Sequence, residues 1–459
     1  MSAPGRAYIK QSAHPSSHHA NNSRAVWDPR AKSAVADAVA VPNLDPARAA
    51  RAALDEYELY KQVKRTRSEL TRIASAAGAR SSDSSKAPLL LFERWVARAS
   101  LAPNGLAAPL LPNVDFEGGL MRDFVRHGAS EKDGERAAED AVSRAREAAA
   151  RWLRRREGFT TEEKATETRI LVRERGAFIT LQLGSLKPYV KVTKVHLGKL
   201  RALYCRRMRR GKPLPGDMGS IEYQTFAFAV YALLLRYESL GGAGYQAALG
   251  EDAFDILHEK LGVTVECFAS PLNCRYGAFC SQFIDVDGYF GSLGSFFAAS
   301  FEPLEGSFEV NPPFVPETML LAVEKVESLL ARAERECAAL SFVIIVPAWT
   351  DCKFWAALLA SVFLICDHDV VKAQDHGFCD GSQHARPSHE RHRVSSYDTG
   401  VWYLQTRKAA QQWVVTDSVR GLVIEKMRNA LGTVKNVQEL EKRYRPDNSL
   451  QSKKKSKIM

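Results

Sequence analysis

The feature that most constrains the fold is the run Ser-Phe-Val-Ile-Ile-Val-Pro at 341–347. It carries no charge and is rich in β-branched residues. It shows none of the alternation of a strand with one wet face, so it predicts a parallel strand buried on both sides. Its neighbours agree. Residues 317–340 place Leu320, Leu321, Val323, Val326, Leu329, Leu330 and Ala333 at helical spacing, and 307–310 reads as a strand before them. Strand, helix, strand at this spacing predicts parallel βαβ crossovers. The apolar run 263–269, the core segment 354–366 and a strand at 400–405 extend the α/β pattern.

Upstream the periodicity is different. Residues 46–77 repeat Leu54, Tyr57, Leu59, Tyr60, Val63, Leu70 and Ile73 at helical spacing. A Ser-rich linker follows at 79–86, and a second helix is predicted over 132–157. Residues 165–192 are either strands or a loop-rich segment. A basic helix is expected at 195–210 and an apolar one at 221–240. No period of about 20–50 residues repeats. The predicted organisation is a disordered arm at 1–45, a mainly helical domain at 46–240, an α/β domain at 241–440 and a basic tail at 441–459. The tail's Lys453, Lys454, Lys455 and Lys457 have the composition of a nuclear-localisation signal, so a nuclear location is expected.

The chain has 459 residues, 45% hydrophobic and 25% charged, with a net charge of +11. That composition excludes a collagen-like, a disulfide-stapled or a wholly disordered chain. The charge suits a polyanionic partner. Arg206, Arg207, Arg209 and Arg210 with Lys212 form one basic group, and Arg151 with Arg154–Arg156 another. Both are candidate contacts for RNA phosphates, or else solvated helix faces. None of the eight cysteines forms a CxxC pair, and the first residues carry no apolar signal core, so reduced thiols are expected. No apolar run approaches the ~18 residues of a membrane span.

The sharpest chemical signal is Asn311-Pro312-Pro313-Phe314, at the end of a predicted strand. In open α/β sheets, ligands sit beyond the carboxyl ends of strands. An aromatic amine is a poor nucleophile because its lone pair is delocalised. Two acceptors aimed at its hydrogens draw the nitrogen towards tetrahedral geometry. The Asn311 side-chain oxygen and the Pro312 carbonyl are such acceptors, and proline presets the carbonyl direction. Phe314 offers a stacking face, worth about 1–3 kcal/mol for a nucleobase. Asn-Pro is also an ordinary turn signal, so context has to decide.

The context is a series of unusual peptides in one order. Glu266-Cys267-Phe268-Ala269-Ser270-Pro271-Leu272-Asn273-Cys274 precedes Asp285-Val286-Asp287-Gly288-Tyr289-Phe290-Gly291-Ser292. Then come the peptide ending in Asn311–Phe314, the run 342–347 with Trp349, and Gly381-Ser382-Gln383-His384. Over about 230–405 this resembles the family of the phosphorylated polymerase-tail-interacting factor, the cap-specific adenosine N6-methyltransferase of messenger RNA. Residues 130–240 resemble its helical domain more loosely. The resemblance implies a Rossmann-like S-adenosylmethionine-dependent methyltransferase domain with an α-helical domain packed on it. It implies methylation at N6 of the (2′-O-methyl)adenosine beside the 7-methylguanosine cap, with Asn311, Pro312, Pro313 and Phe314 as the catalytic motif. It also implies capped mRNA as partner, with Trp349 and His384 near the substrate, and no membrane. Vertebrate members carry an N-terminal WW domain. Here Trp27 stands alone and Trp95 is too distant to pair with it, so the chain is expected to lack that domain and the phosphorylated polymerase tail is not an expected partner.

The common glycine signature of a cofactor loop is absent. Placement at strand ends makes Glu266, Ser270, Pro271, Asn273, Asp285, Asp287 and Gly288 the candidate S-adenosylmethionine contacts. Gly241, Gly242, Gly244, Tyr245 and Gln246 form a small-residue loop that would admit part of it. His376 with Cys379 and His389 with His392 have pairwise spacing that zinc uses, but match no finger. No metal is expected. Two alternatives remain open: a non-catalytic cap-binding module of the same fold, and an N6-adenine methyltransferase of internal RNA or DNA sites.

Overall fold

The computed structural model describes residues 40–79, 87–158, 169–241 and 246–444, together with Val26 and Asp28. Most of the expected arm, linker residues 80–86, loop residues 242–245 and the lysines of the tail lie outside the described residues.

The α/β region starts with helix α7 (Glu251–Leu261), preceded among the described residues by six other α-helices. It ends at Gly262, which adopts φ +65°, a left-handed conformation that favours glycine at a helix terminus. Strand β6 (Val263–Glu266) follows, then β7 (Gly306–Val310), helix α9 (Pro316–Arg335), β8 (Leu340–Pro347) and helix α10 (Lys353–Leu359). Strands β9 (Asp369–Val371) and β12 (Thr399–Gln405) complete a five-stranded sheet in the order β6-β7-β8-β12-β9. β6, β7 and β8 are parallel. Two single-residue parallel bridges carry the pattern further, with Phe279 beside Glu266 and Ser292 beside Phe279. The chain therefore steps outward from β6 on one side, then returns to β7 on the other.

The unbroken apolar run at 341–347 has its explanation in two covered faces. Phe342, Ile344 and Val346 pack with α9 and α10. Val343 and Ile345 pack with α7 and helix α12 (Asp417–Tyr444) on the other face. The strand expected at 400–405 joins this sheet, but β12 runs antiparallel to both β8 and β9. Helix α9 also stops five residues short of the predicted end. Cys337 turns the chain at φ +52°, and the Leu340 N–H is held by Thr406 Oγ1, so 340 belongs to the sheet.

The upstream region is built on α1 (Pro46–Ala76), α4 (Glu131–Gly158) and α6 (Ile221–Leu240), as their periodicity predicted. α1 starts from an Asp45 cap with proline at its first turn. The undecided stretch 165–192 is an antiparallel sheet of β3 (Ile170–Arg175), β4 (Phe178–Leu183) and β5 (Val190–Thr193), leading into α5 (Lys194–Met208). Helices α2 (Ala87–Ala99) and α3 (Gly119–Arg126) were not anticipated, and both border the site. No helix among the described residues is long and apolar enough to cross a membrane.

Candidate active site

A cavity of about 370 Å³ opens where the strand order reverses. Its walls are the residues that leave the carboxyl ends of successive parallel strands: Cys267–Ala269 after β6, Cys280–Gln282 after the Phe279 bridge, Ser295–Phe297 after the Ser292 bridge, and Asn311 with Pro313 after β7. This is the position at which open α/β sheets bind ligands, and the volume suits a small molecule. The opposite wall comes from the helical region, through Ala97 at the end of α2, the turn from Ser100 to Leu106, and Tyr237 of α6.

Asn311 is 9% exposed. Its Nδ2 donates to the Ala247 carbonyl at 3.3 Å, which leaves Oδ1 to accept from a ligand. Pro313 O accepts from Val315 N at 2.6 Å and closes the peptide into a turn. Phe314 then leaves the cavity and lines a second cleft of about 470 Å³. Its ring lies 6.5 Å from Trp349 and 6.3 Å from Phe378, nearly perpendicular to both. Asn311–Phe314 is thus the partition between two spaces, and Trp349 lies beside its Phe314.

The second cleft is lined by Arg94, Arg98, Arg122 and Arg126, with Asp123 and Glu317. Asp123, 1% exposed, accepts from Arg98 at 2.6 Å and from Arg94 at 3.4 Å. Glu317, in the first turn of α9, accepts from Arg98 at 3.1 Å and Arg122 at 2.8 Å. Burial alone would raise Glu317, but Arg98 outweighs it and holds the carboxyl below its usual range. Asp351 also lines the cleft, and four guanidinium groups against three carboxylates leave it positive. None of the four was a candidate from sequence. All four lie on helices the sequence did not predict, and no run of basic residues marks them.

The seven expected cofactor contacts stand one layer behind the cavity. Glu266 Oε1 accepts from the N–H groups of Arg275 at 2.7 Å and Tyr276 at 2.9 Å, anchoring the loop after β6. Burial raises it to about 7, those N–H groups opposing. Asn273 Oδ1 accepts from Ser270 N and Oγ across the Pro271 turn, and its Nδ2 donates to Gln246 O at 3.0 Å. Asp287 accepts from Tyr237 Oη at 2.8 Å. Burial raises it too, to about 7, with Ser281 and Tyr237 opposing. Asp285 pairs with Arg236 at 2.8 Å, and Gly288 packs beside Ile284. Gln246 and Tyr237, which these residues hold, do line the cavity. On β7, Glu309 is fully buried and its carboxyl is pushed well up by burial and by nearby Glu266.

The remaining candidates lie apart. Arg206, Arg207, Arg209 and Arg210 end α5 and line neither space. Arg207 donates to Ala40 O at 2.7 Å, and Arg209 to Lys212 O and Pro213 O. Arg151 and Arg156 of α4 bond to Gln62 and Asp55 of α1. His384 sits in the short 383–385 turn and lines neither space. Burial lowers it to about 4, helped by Lys199.

These observations define a mixed α/β chain with a ligand cavity at its strand ends and a basic cleft across one peptide. Residues 199–381 match the family model described as the phosphorylated CTD interacting factor 1 WW domain. The chain is 35% identical over 231 residues to the mouse mRNA (2′-O-methyladenosine-N(6)-)-methyltransferase, covering 49% of this chain and 31% of that protein. It is 35% identical over 234 residues to the human protein of the same name, covering 50% and 31%. The chain is thus similar to these proteins over about half of its own length, and spans about a third of theirs. The expectation that it lacks the WW domain is corrected by a match that carries that description. In this chain the matched residues run from α5 through β6, β7 and β8 to β10 (Gly377–Cys379), which pairs beyond the match with β11 (His392–Val394) in a two-stranded ribbon.

Proposed function

We propose that the chain is an S-adenosylmethionine-dependent methyltransferase acting on N6 of the adenosine beside the mRNA cap. Its sheet is read as a Rossmann-like methyltransferase fold, with the upstream helices as a domain packed against the cavity mouth. The reversal of strand order at β6 and the antiparallel β12 support that reading. The cavity fits the cofactor, since it lies at the switch point and has both polar and apolar walls. The bound cofactor would supply an electrophilic methyl group on a sulfonium centre.

The observation that carries the reading is the partition. Asn311 faces the cavity while Phe314, three residues on, faces the basic cleft. An adenine stacked on Phe314 would present its amino edge to Asn311 Oδ1 and the Pro312 carbonyl. Those acceptors orient the nitrogen lone pair towards the cavity, and the proton lost on transfer leaves to solvent. Catalysis would be alignment in the main. Arg94, Arg122 and Arg126 would take the cap triphosphate or following phosphates. The family description also restores the phosphorylated polymerase tail as a proposed protein partner.

The test is methyl transfer from labelled cofactor to RNAs beginning with capped 2′-O-methyladenosine, uncapped adenosine or a non-adenosine cap neighbour. Label confined to the capped adenosine RNA is expected. Equal labelling of capped and uncapped RNA would discard cap specificity. Binding of capped RNA with no label transferred would leave a binding module.

A further inference from the structure

We propose a structural divalent-metal site, of zinc type, formed by Glu251, Cys379 and His392 behind the candidate active site. It departs from the sequence expectation of no metal, and from both pairings that spacing suggested. His376 is spent elsewhere, between Lys372 O and Thr399 Oγ1, and His389 lies beside Glu390. The fold instead pairs one residue from each couple. Cys379 and His392 are direct cross-strand neighbours on the β10–β11 ribbon. The third donor arrives because Ala248 and Cys379 exchange backbone hydrogen bonds of 3.1 and 2.7 Å, which brings the first turn of α7 against the ribbon.

The three donor atoms lie within 4.8 Å of one another. His392 Nε2 is 3.1 Å and Cys379 Sγ 4.0 Å from Glu251 Oε2. Tetrahedral zinc, with bonds of about 2.0–2.3 Å, needs donors roughly 3.3–3.7 Å apart. Moving Cys379 Sγ inward by a few tenths of an ångström would bring its separation from Glu251 Oε2 into that range. One nitrogen, one thiolate and one carboxylate oxygen are a recognised donor mixture for this ion. The outer shell is present as well, since Arg391 pairs with the other oxygen of Glu251. His392 Nδ1 has no hydrogen-bond partner among the described residues, so the contact at Nε2 decides the tautomer. On binding, the Cys379 S–H proton goes to solvent, a metal–sulfur bond forms, and the His392 proton resides on Nδ1.

The site would act as a clamp. Phe378, next to Cys379, packs on Phe314. Ala247, next to the bridged Ala248, accepts from Asn311. Both props of the partition peptide are thus tied to the ribbon that the ion would hold, without the ion touching any reactant.

The experiment uses the full chain, stripped with a chelator and titrated with Co²⁺ alone, read by absorbance rather than activity. One equivalent should give a near-ultraviolet thiolate-to-cobalt band that Zn²⁺ displaces. Cys379→Ser should abolish the band, His392→Asn should remove or shift it, and Arg391→Gln should weaken binding by about 10–100-fold. Circular dichroism of each stripped variant checks that it folds. No band in the unaltered chain, or a band unchanged in both Cys379→Ser and His392→Asn, overturns the site. The latter result would place the ion on another thiol. The readout needs no RNA and no methyl donor, so it fails or succeeds separately from the proposed reaction.

Discussion

The cavity and the basic cleft share one peptide yet are built on opposite electrostatics. Behind the cavity stand carboxyl groups satisfied by neutral partners: Glu266 by two backbone N–H groups, Asp287 by a tyrosine. Burial raises both, and Glu309 with them. Around the cleft, carboxylates are outnumbered by guanidinium groups, and Glu317 is lowered. The first arrangement is enclosed and fixed by the sheet. The second is ionic and partly open, with Arg126 65% exposed and 3.7 Å from Asp123. On the proposed function, the difference would let one strand end serve two ligands: a small molecule held by shape on one side, a polyanion drawn by charge on the other.

Breaking the partition should have the largest effect. Asn311→Ala is expected to lower the single-turnover rate of methyl transfer by about 10²–10³-fold, the range for removing one transition-state hydrogen bond. Cofactor affinity measured by calorimetry should stay near that of the unaltered chain. A rate within threefold of normal would remove the amine-polarising role.

The cleft is tested through its salt dependence. Arg126→Gln should weaken capped-RNA binding and reduce the slope of log affinity against log salt by about 0.7, the value for one phosphate contact to a single strand. Cofactor binding should not change. An unaltered slope would move the RNA path away from the cleft.

The smallest effect concerns Glu266. Its carboxyl ionises near 4.5 when unfolded and at about 7 in the folded chain. Between these values the folded state holds the extra proton, so this group's contribution to stability falls as pH rises and levels off above about 7. His384 and His392, lowered to about 4, oppose it below their ordinary value of 6.5. The useful quantity is therefore a difference. Glu266→Gln should gain on the unaltered chain in denaturant midpoint as pH rises from about 4.5 to 7. A pH-independent difference would show that Glu266 stays ionised throughout.

Periodicity within a segment was legible wherever one element alone decided it. The bounds of α6 (221–240) and the double burial of 341–347 follow from local pattern, because side chains facing a core repeat at the element's own period. The Asn311–Phe314 peptide was legible as well, since its chemistry lies in adjacent residues. Elsewhere the pattern was silent. Helices α2 and α3 are short, and their apolar residues were not read as a repeat, yet they supply much of the cleft's charge. The cavity lining carries little polar signature in the sequence. The wall itself is made of Cys267, Phe268, Cys280 and Phe296, whose types suggest core.

By itself, the sequence determined the α/β alternation and the place of the partition peptide at a strand end, because both depend on residues close along the chain. Only the tertiary structure decided the antiparallel sense of β12, the arginines around Phe314 and the meeting of Glu251 with Cys379 and His392. Those depend on which distant segments pack together, and packing is chosen by the summed burial and pairing of the whole molecule rather than by any local run of residues.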